Sequence, residues 1–174
     1  LYTLALPRGR EGEARAAGST TDAGATGEAA PEKVASFEDN PDRENWYTPW
    51  GGPPAVRSIA SATDGTLFVN VHVGGIHRST DGGRSWQPTI DIGVDVHQVV
   101  HVEAPELVLA PAGKGFAESR DRGDSWRLST DGLDFTYMRA AAVSGSTLLA
   151  SAATGPHGDR GAVYRRALDS EEPF

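Results

Sequence analysis

RSTDGGRSW at positions 78–86 and ESRDRGDSW at positions 118–126 share five residues in the same order. In each stretch a Ser is followed at every second position by Asp, Gly and Ser, and the last Ser is followed directly by Trp. The two Trp residues, Trp86 and Trp126, are 40 positions apart. Self-similarity at a fixed period of roughly 20 to 50 residues indicates a repeat architecture. The chain is therefore expected to contain repeats of about 40 residues.

Short β-rich runs alternate with turn signals inside the first repeat. VRSIASA ends before Asp64-Gly65, TLFVNVHV is followed by Gly74-Gly75, and IHRST leads into Asp81-Gly82-Gly83 before SWQPTI closes the unit. An Asp-Gly pair between such runs is a strong hairpin signal. Four strands in about 40 residues match one blade of a β-propeller. We therefore predict a complete blade over residues 56–95.

The residues that follow repeat this register. DVHQVVHV, ELVLAPA, GFAES and DSWRLS align under the four strands, which predicts a second complete blade over residues 96–135. YMRAAAV, STLLASA and AVYRRAL predict a truncated blade over residues 136–174. The predicted fold is all-β: a β-propeller of four-stranded antiparallel blades, present here as an incomplete set of about three to four blades.

The first 55 residues differ in composition from the rest. LYTLAL at 1–6 has the form of a third strand, and Trp46 precedes Trp86 by 40 positions, so residues 46–55 are expected to supply the fourth strand of that partial blade and a link. Residues 7–45 between them are almost all small, polar or charged. Such a composition buries too little apolar surface to offset its ordering entropy, which predicts a disordered insertion.

Charge and cysteine content restrict the class of partner. A net charge of -8 disfavours nucleic acid and anionic membranes, since either would require a basic face. Without Cys there are no disulfides or thiolate sites, and the sequence shows neither a signal peptide nor an apolar run long enough for a membrane span. A cytoplasmic location is favoured. Secretion stays open, because a chain that starts at Leu1 is expected to lack its true N-terminus.

The two related stretches resemble the Asp-box, or BNR repeat, of sialidases, sortilin-type receptors, certain xyloglucan-cleaving hydrolases and photosystem II assembly factors. In such a turn the Asp accepts backbone hydrogen bonds, the Gly permits a positive φ, and the Trp packs between blades. In this family the box is a fold device on the face opposite the ligand site. The resemblance therefore implies structural roles for Ser79, Asp81, Gly83, Ser85, Trp86, Ser119, Asp121, Gly123, Ser125 and Trp126.

Loops on the opposite face are the expected position of a ligand site, because binding residues collect on loops of rigid scaffolds. The candidate residues there are Asn70, His72, Asp91, Asp95, His97, Lys114, Tyr137, Arg139, His157, Asp159 and Arg160. If the register holds, His72, Asp91, Asp95 and His97 gather at one rim. A His/Asp cluster can perform acid–base chemistry or hold a metal, but the same residues can equally cap turns and satisfy buried backbone groups. We predict no cofactor and assign no metal ligand.

Two functions are compatible with these residues. The first is a non-catalytic propeller that binds a carbohydrate or protein ligand on the face opposite the boxes. The alternative is a sialidase-like glycoside hydrolase whose catalytic residues lie largely outside this segment. Against the alternative, Arg57 is followed by Ser58-Ile59 where sialidases carry Arg-Ile-Pro, and no exposed Tyr pairs with a Glu. Glycoside hydrolysis needs two spaced carboxylates, for which Asp91 and Asp95 are candidates by position alone. A sortilin-type receptor fits poorly with the absence of Cys.

Overall fold

The computed structural model describes residues 32–172 and residue 174. Its strands form three antiparallel sheets in chain order. Blade 1 contains β1 (Val56–Ser61), β2 (Leu67–Val71), β3 (Gly75–Ser79) and β4 (Gln87–Pro88); blade 2 contains β5 (Val100–Val102), β6 (Leu107–Ala112), β7 (Gly115–Ser119) and β8 (Arg127–Ser129). Blade 3 has three strands, β9 (Tyr137–Ser144), β10 (Thr147–Ala153) and β11 (Gly161–Ala167). The predicted fold class, an all-β propeller with an incomplete set of blades, is confirmed.

Strand β6 lies at the centre of the stack. Successive side chains of a strand point to opposite faces of the sheet. Val108 and Ala110 pack against blade 1, whereas Leu107 and Leu109 pack against blade 3. All six residues of β6 are buried, because blades cover both of its faces.

Polar side chains fix the first strands of adjacent blades to one another. The hydroxyl of Ser58 on β1 accepts a hydrogen bond of 2.8 Å from the backbone N–H of Val99. The side-chain carbonyl of Gln98 accepts one of 2.7 Å from the backbone N–H of Ala141 on β9. These contacts satisfy buried backbone groups across both blade boundaries, so they set the alignment of the blades at their first strands.

Residues 33–45 are ordered, which shows that the predicted disorder of residues 7–45 is wrong for this part. They contain α1 (Ala35–Glu38) and a 3-10 helix (Pro41–Asn45). The ring of Phe37 lies 5.3 Å from that of Trp46 and 5.0 Å from that of Trp86. Composition fails here because a single aromatic side chain anchors an otherwise polar segment. The predicted strand at 1–6 and the insertion as far as residue 31 lie outside the described residues.

The predicted fourth strand at residues 46–55 is also wrong. This segment has no strand in the structure and runs through turns rich in Gly and Pro, and Pro lacks the N–H that a sheet ladder needs. Trp46 instead packs on Val69 and Val71 of blade 1. Neither the helices before this segment nor any other helix among residues 32–172 is long and apolar enough to cross a membrane.

Candidate functional site

Antiparallel pairing brings different parts of each blade to the same end of the stack. The start of the first strand, the end of the second and the start of the third lie together at one end of every blade. We call this end the histidine rim and define it by Arg57, His72, Asp95, His97 and Tyr137. The opposite end carries the hairpin turns 79–86 and 119–126, and we call it the turn end.

Four predicted residues, His72, Asp95, His97 and Tyr137, lie at the histidine rim, and His97 contacts both Asp95 and Tyr137. The Nε2 atom of His97 lies 3.5 Å from Oδ2 of Asp95. The rings of His97 and Tyr137 lie 4.6 Å apart. The Nε2 atom of His72 lies 2.9 Å from Nη2 of Arg57. The rim therefore combines a carboxylate, two imidazoles, a phenol and a guanidinium.

The sequence did not predict Arg57, which belongs to the histidine rim, or Trp50, which lies beside it. Trp50 is 61% exposed, and its ring lies 5.9 Å from those of both His72 and His157. It was missed because residues 46–55 were assigned to a strand, in which an exposed Trp would have no particular meaning. An exposed large aromatic beside polar groups is typical of a binding surface, because its ring offers both an apolar face and a polar edge.

Arg139 connects the rim to the loop between β10 and β11. Its guanidinium lies 4.7 Å from the ring centre of Tyr137. Its Nη2 donates hydrogen bonds to the carbonyl oxygens of Gly155 and Pro156, at 3.1 and 2.6 Å. The loop that carries His157 is therefore held against the rim by a predicted candidate residue.

Asp91 closes its own turn. Its carboxylate accepts a 2.7 Å hydrogen bond from the N–H of Gly93, at the start of a 3-10 turn over Ile92–Val94. Asn70 donates from Nδ2 to the carbonyl of Val96, so it links two blades. The remaining predicted residues, Lys114, Asp159 and Arg160, are exposed.

Strained backbone supports the rim. Val73, directly after His72, has φ 39°, and Asp95 has φ 58°. A positive φ is unusual for a side chain other than Gly, especially for a β-branched one, and costs on the order of 1–3 kcal/mol. A Cβ at Gly113 would lie 2.6 Å from Oδ2 of Asp95, so the glycine makes room for this carboxylate. Such strain concentrates at functional sites.

Two buried polar atoms of the rim have no hydrogen-bond partner among the described residues, Oδ1 of Asp95 and Nε2 of His97. His97 is 8% exposed. Most buried polar atoms in native proteins are paired, so an unpaired carboxylate oxygen beside an unpaired imidazole nitrogen indicates a missing donor. Within residues 32–172 and 174, no group of three or more His, Cys, Asp or Glu side chains could hold a metal ion.

The pKa values of three rim residues are shifted. The His97 imidazole, at the long limit of hydrogen bonding, lowers the pKa of Asp95 although burial opposes it. Burial, and then the positive charge of Arg57, lower the pKa of His72. Burial, and then the negative charge of Asp95, raise the pKa of Tyr137. At neutral pH the rim therefore holds an ionised Asp95, a neutral His72 and a protonated Tyr137.

The carboxylate of Asp81 at the turn end accepts hydrogen bonds through both of its oxygens. Oδ1 of Asp81 accepts from the N–H groups of Arg84 and Ser85, each at 2.9 Å, and from the hydroxyl of Ser79 at 2.8 Å. Its Oδ2 accepts from the hydroxyl of Ser85 at 2.7 Å. These hydrogen bonds, first that of the Ser85 hydroxyl, lower the pKa of Asp81.

Asp121 repeats this arrangement. Its Oδ1 accepts from the N–H of Ser125 and the hydroxyl of Ser119, each at 2.8 Å, and its Oδ2 accepts from the hydroxyl of Ser125. The Ser125 hydroxyl and N–H, in that order, lower the pKa of Asp121 to about 2. The buried hydroxyl of Ser119 also accepts a 2.7 Å bond from the N–H of Gly123. The carboxylates of Asp81 and Asp121 are thus each occupied by their own turn.

Comparison with known protein families and with curated proteins gave no match. Among solved structures, the chain is similar to an ancestral GH74 enzyme, with a TM-score of 0.58 and 19% identity over 72% of this chain and 20% of that one. It is also similar to the GH74 xyloglucanase of Xanthomonas campestris, with a TM-score of 0.53 and 17% identity over 63% and 20%. For YCF48 of Cyanidioschyzon merolae the TM-score is 0.46, with 14% identity over 63% and 37%.

The likeness to the two GH74 enzymes shows the fold, which is that of a β-propeller. This chain spans about a fifth of their length.

Proposed function

We propose that this chain is a ligand-binding β-propeller scaffold without catalytic activity of its own, and that its ligand binds the histidine rim. The observation that carries the proposal is the buried pair of unpartnered atoms, Oδ1 of Asp95 and Nε2 of His97, on a rim where the exposed ring of Trp50 lies 5.9 Å from that of His72. A ligand that donates hydrogen bonds would complete them. Loops on a rigid sheet scaffold are well suited to hold such a ligand in one position.

A carbohydrate matches the chemistry of this rim. Sugar rings present an apolar face, which suits the indole of Trp50, and hydroxyl groups, which suit the unpartnered acceptors of Asp95 and His97. The guanidiniums of Arg57 and Arg139 supply donors for ring and hydroxyl oxygens. The xyloglucanase among the structural neighbours supports a xyloglucan oligosaccharide as the first probe.

We further propose that the turns 79–86 and 119–126 are Asp-boxes and serve the fold. The saturation of Asp81 and Asp121 supports this, because a carboxylate with both oxygens bonded inside its own turn has little capacity left for a ligand.

The alternative of a glycoside hydrolase is less well supported. A general acid in such an enzyme needs a raised pKa, whereas the pKa of Asp95 is lowered. The mechanism also needs a second carboxylate across the substrate, and the carboxylate of Asp91 closes the turn at Gly93. A hydrolase built on this propeller would have to take catalytic groups from outside the described residues.

Nuclear magnetic resonance of the ¹⁵N-labelled chain tests the binding proposal. Titration with a xyloglucan heptasaccharide, and separately with sialyllactose, is expected to shift the indole signal of Trp50 and the amide of Asp95 with at least one sugar. The indole of Trp126, at the turn end, should not move. Trp50→Ala should abolish the shifts, while the control Tyr47→Ala, which removes another exposed aromatic, should keep them. Shifts confined to the turn end, or none with either sugar, would contradict the proposal.

A product assay separates binding from catalysis. The complete chain is expected to release no reducing sugar from the bound oligosaccharide over hours. Product release that disappears in Asp95→Asn would replace the scaffold proposal with the hydrolase alternative.

A further inference from the structure

The contact between Arg57 and His72 fixes the protonation of one imidazole. A guanidinium carries donors and no acceptor, and it stays charged throughout the range in which proteins are folded. Its Nη2 lies 2.9 Å from Nε2 of His72. Two donors cannot share this contact, so Nε2 of His72 must be unprotonated and must accept. His72 is therefore held neutral, with its proton on Nδ1.

The second imidazole of the rim is oriented by a backbone group. Nδ1 of His97 is hydrogen-bonded to the backbone carbonyl of Met138, which can only accept, so Nδ1 must carry a proton. Its Nε2 lies 3.5 Å from Oδ2 of Asp95 and has no hydrogen-bond partner among the described residues.

From this geometry we propose that the histidine rim is gated by pH: His72 restrains Arg57 while Nε2 is bare, and protonation of Nε2 breaks the contact and frees the guanidinium. The two positive charges then repel each other across a contact that had been attractive. The rim gains one positive charge and a set of unengaged donors. That this change alters ligand binding rests on the proposed function.

Charged and titratable groups around His72 decide the direction of the switch. Arg57 on β1 and His97 in the link to blade 2 disfavour a second proton on His72, and Asp95 in the same link favours it. The ring of Trp50 lies 5.9 Å from that of His72, and the ring of His157 lies 5.9 Å from that of Trp50. Burial and Arg57 together keep the pKa of His72 below its ordinary value. The restraint is therefore complete above the ordinary imidazole pKa and is lost as pH falls through the lowered one.

Imidazole NMR of the ¹⁵N-labelled chain tests the protonation states directly. At pH 7.5, His72 is expected to carry a proton on Nδ1 alone, and His97 is expected to carry one on Nδ1, with assignments made from His72→Gln and His97→Gln. On acidification, the exchange of the Arg57 guanidinium protons, measured relative to that of an unrestrained arginine at the same pH, should accelerate roughly tenfold or more, as expected for loss of a charge-assisted hydrogen bond. This step should coincide with the titration of His72.

Two variants make the test specific. His72→Gln keeps an acceptor for Arg57 but cannot titrate, so the acceleration should disappear. His157→Gln, which alters the other neighbour of Trp50, should leave it unchanged. A proton on Nε2 of His72 at pH 7.5, or an acceleration that persists in His72→Gln, would overturn the proposal.

The ligand readout is kept separate from the switch. The xyloglucan heptasaccharide is titrated above and below the pH of the Arg57 step, into the unmodified chain and into His72→Gln. A change of affinity in the unmodified chain alone supports gating of the ligand. An Arg57 step without any sugar binding refutes the proposed function and leaves the switch standing. Sugar binding without the Arg57 step refutes the switch and leaves the proposed function standing.

Discussion

The two ends of the blades carry similar polar residues but complete them differently. At the turn end, Asp81 and Asp121 are bonded through both oxygens to Ser and backbone donors of their own turns. At the histidine rim, one oxygen of Asp95 and one nitrogen of His97 have no partner among the described residues. The same residue type is thus a closed structural unit at one end and an open acceptor at the other. Hydrogen-bond saturation distinguishes the two more reliably than residue type.

Backbone strain follows the same division. The turn end places Gly82, Gly83 and Gly123 at positive φ, where glycine adopts it readily, and its exception, Arg122 at φ 60°, forms ion pairs with Asp64 and Glu106. The histidine rim places Val73 and Asp95 in that region. Strain at the turn end is avoided or compensated, whereas at the rim it is retained beside unpartnered groups.

The largest loss of stability is expected at the turn end, from Ser119→Ala. This change removes the buried hydroxyl that accepts from Gly123 and donates to Asp121, and it leaves a buried N–H unpaired. We expect the free energy of unfolding to fall by about 1–3 kcal/mol, measured by urea denaturation. Ser144→Ala, at an exposed position of β9, serves as the control and should change it little. Equal losses of unfolding free energy in both variants would show that the Ser119 hydroxyl has no special role in stability.

The opposite result is expected at the rim, from Asp95→Asn. Asn tolerates positive φ and keeps the shape of the side chain, so the free energy of unfolding should change by less than about 1 kcal/mol. Affinity for the xyloglucan heptasaccharide should fall roughly tenfold or more, because an acceptor oxygen and its charge are altered. Unchanged affinity, measured by the same NMR titration, would move the site away from Asp95.

Acid should affect the turn end through Asp121. Its pKa is lowered to about 2 from an ordinary value of 3.8. The stability that Asp121 contributes is therefore present above pH 4 and is lost as pH falls through the lowered pKa. Asp121→Asn should show a weaker decline in melting temperature between pH 4 and pH 2 than the unmodified chain. Parallel declines would show that other groups control acid unfolding.

The smallest effect is expected from Arg122→Gly. Glycine relieves the positive φ, while the ion pairs with Asp64 and Glu106 are lost, so the two changes oppose each other. Net stability at moderate salt should change little, but its dependence on salt concentration should weaken because exposed ion pairs are screened. Gly82→Arg at the equivalent position of blade 1 is the matched test of strain. A stability loss in Gly82→Arg no greater than the change in Arg122→Gly would show that strain is unimportant there.

Sequence periodicity predicted the blades because each repeat carries its own turn residues and its own β-rich runs between them. The same register predicted that His72, Asp91, Asp95 and His97 gather at one rim. In the structure His72, Asp95 and His97 lie there together with Tyr137, whereas the carboxylate of Asp91 closes its own turn. Arg57 and Trp50 were missed because their meaning depends on neighbours from other elements, which no local pattern encodes. The disorder predicted for residues 33–45 overlooked one buried ring, Phe37, which outweighs their polar composition.

The bond between His97 and the backbone of Met138 connects the link before blade 2 to β9 of blade 3, and Asp95 lies in the same link as His97. A rotation of blade 3 relative to blade 2 would therefore draw the imidazole away from the carboxylate. The distance between Nε2 of His97 and Oδ2 of Asp95 should therefore depend on the angle between blades 2 and 3. If a ligand binds the rim as proposed, a change in the angle between these two blades is expected to change its affinity, even when no rim residue is altered.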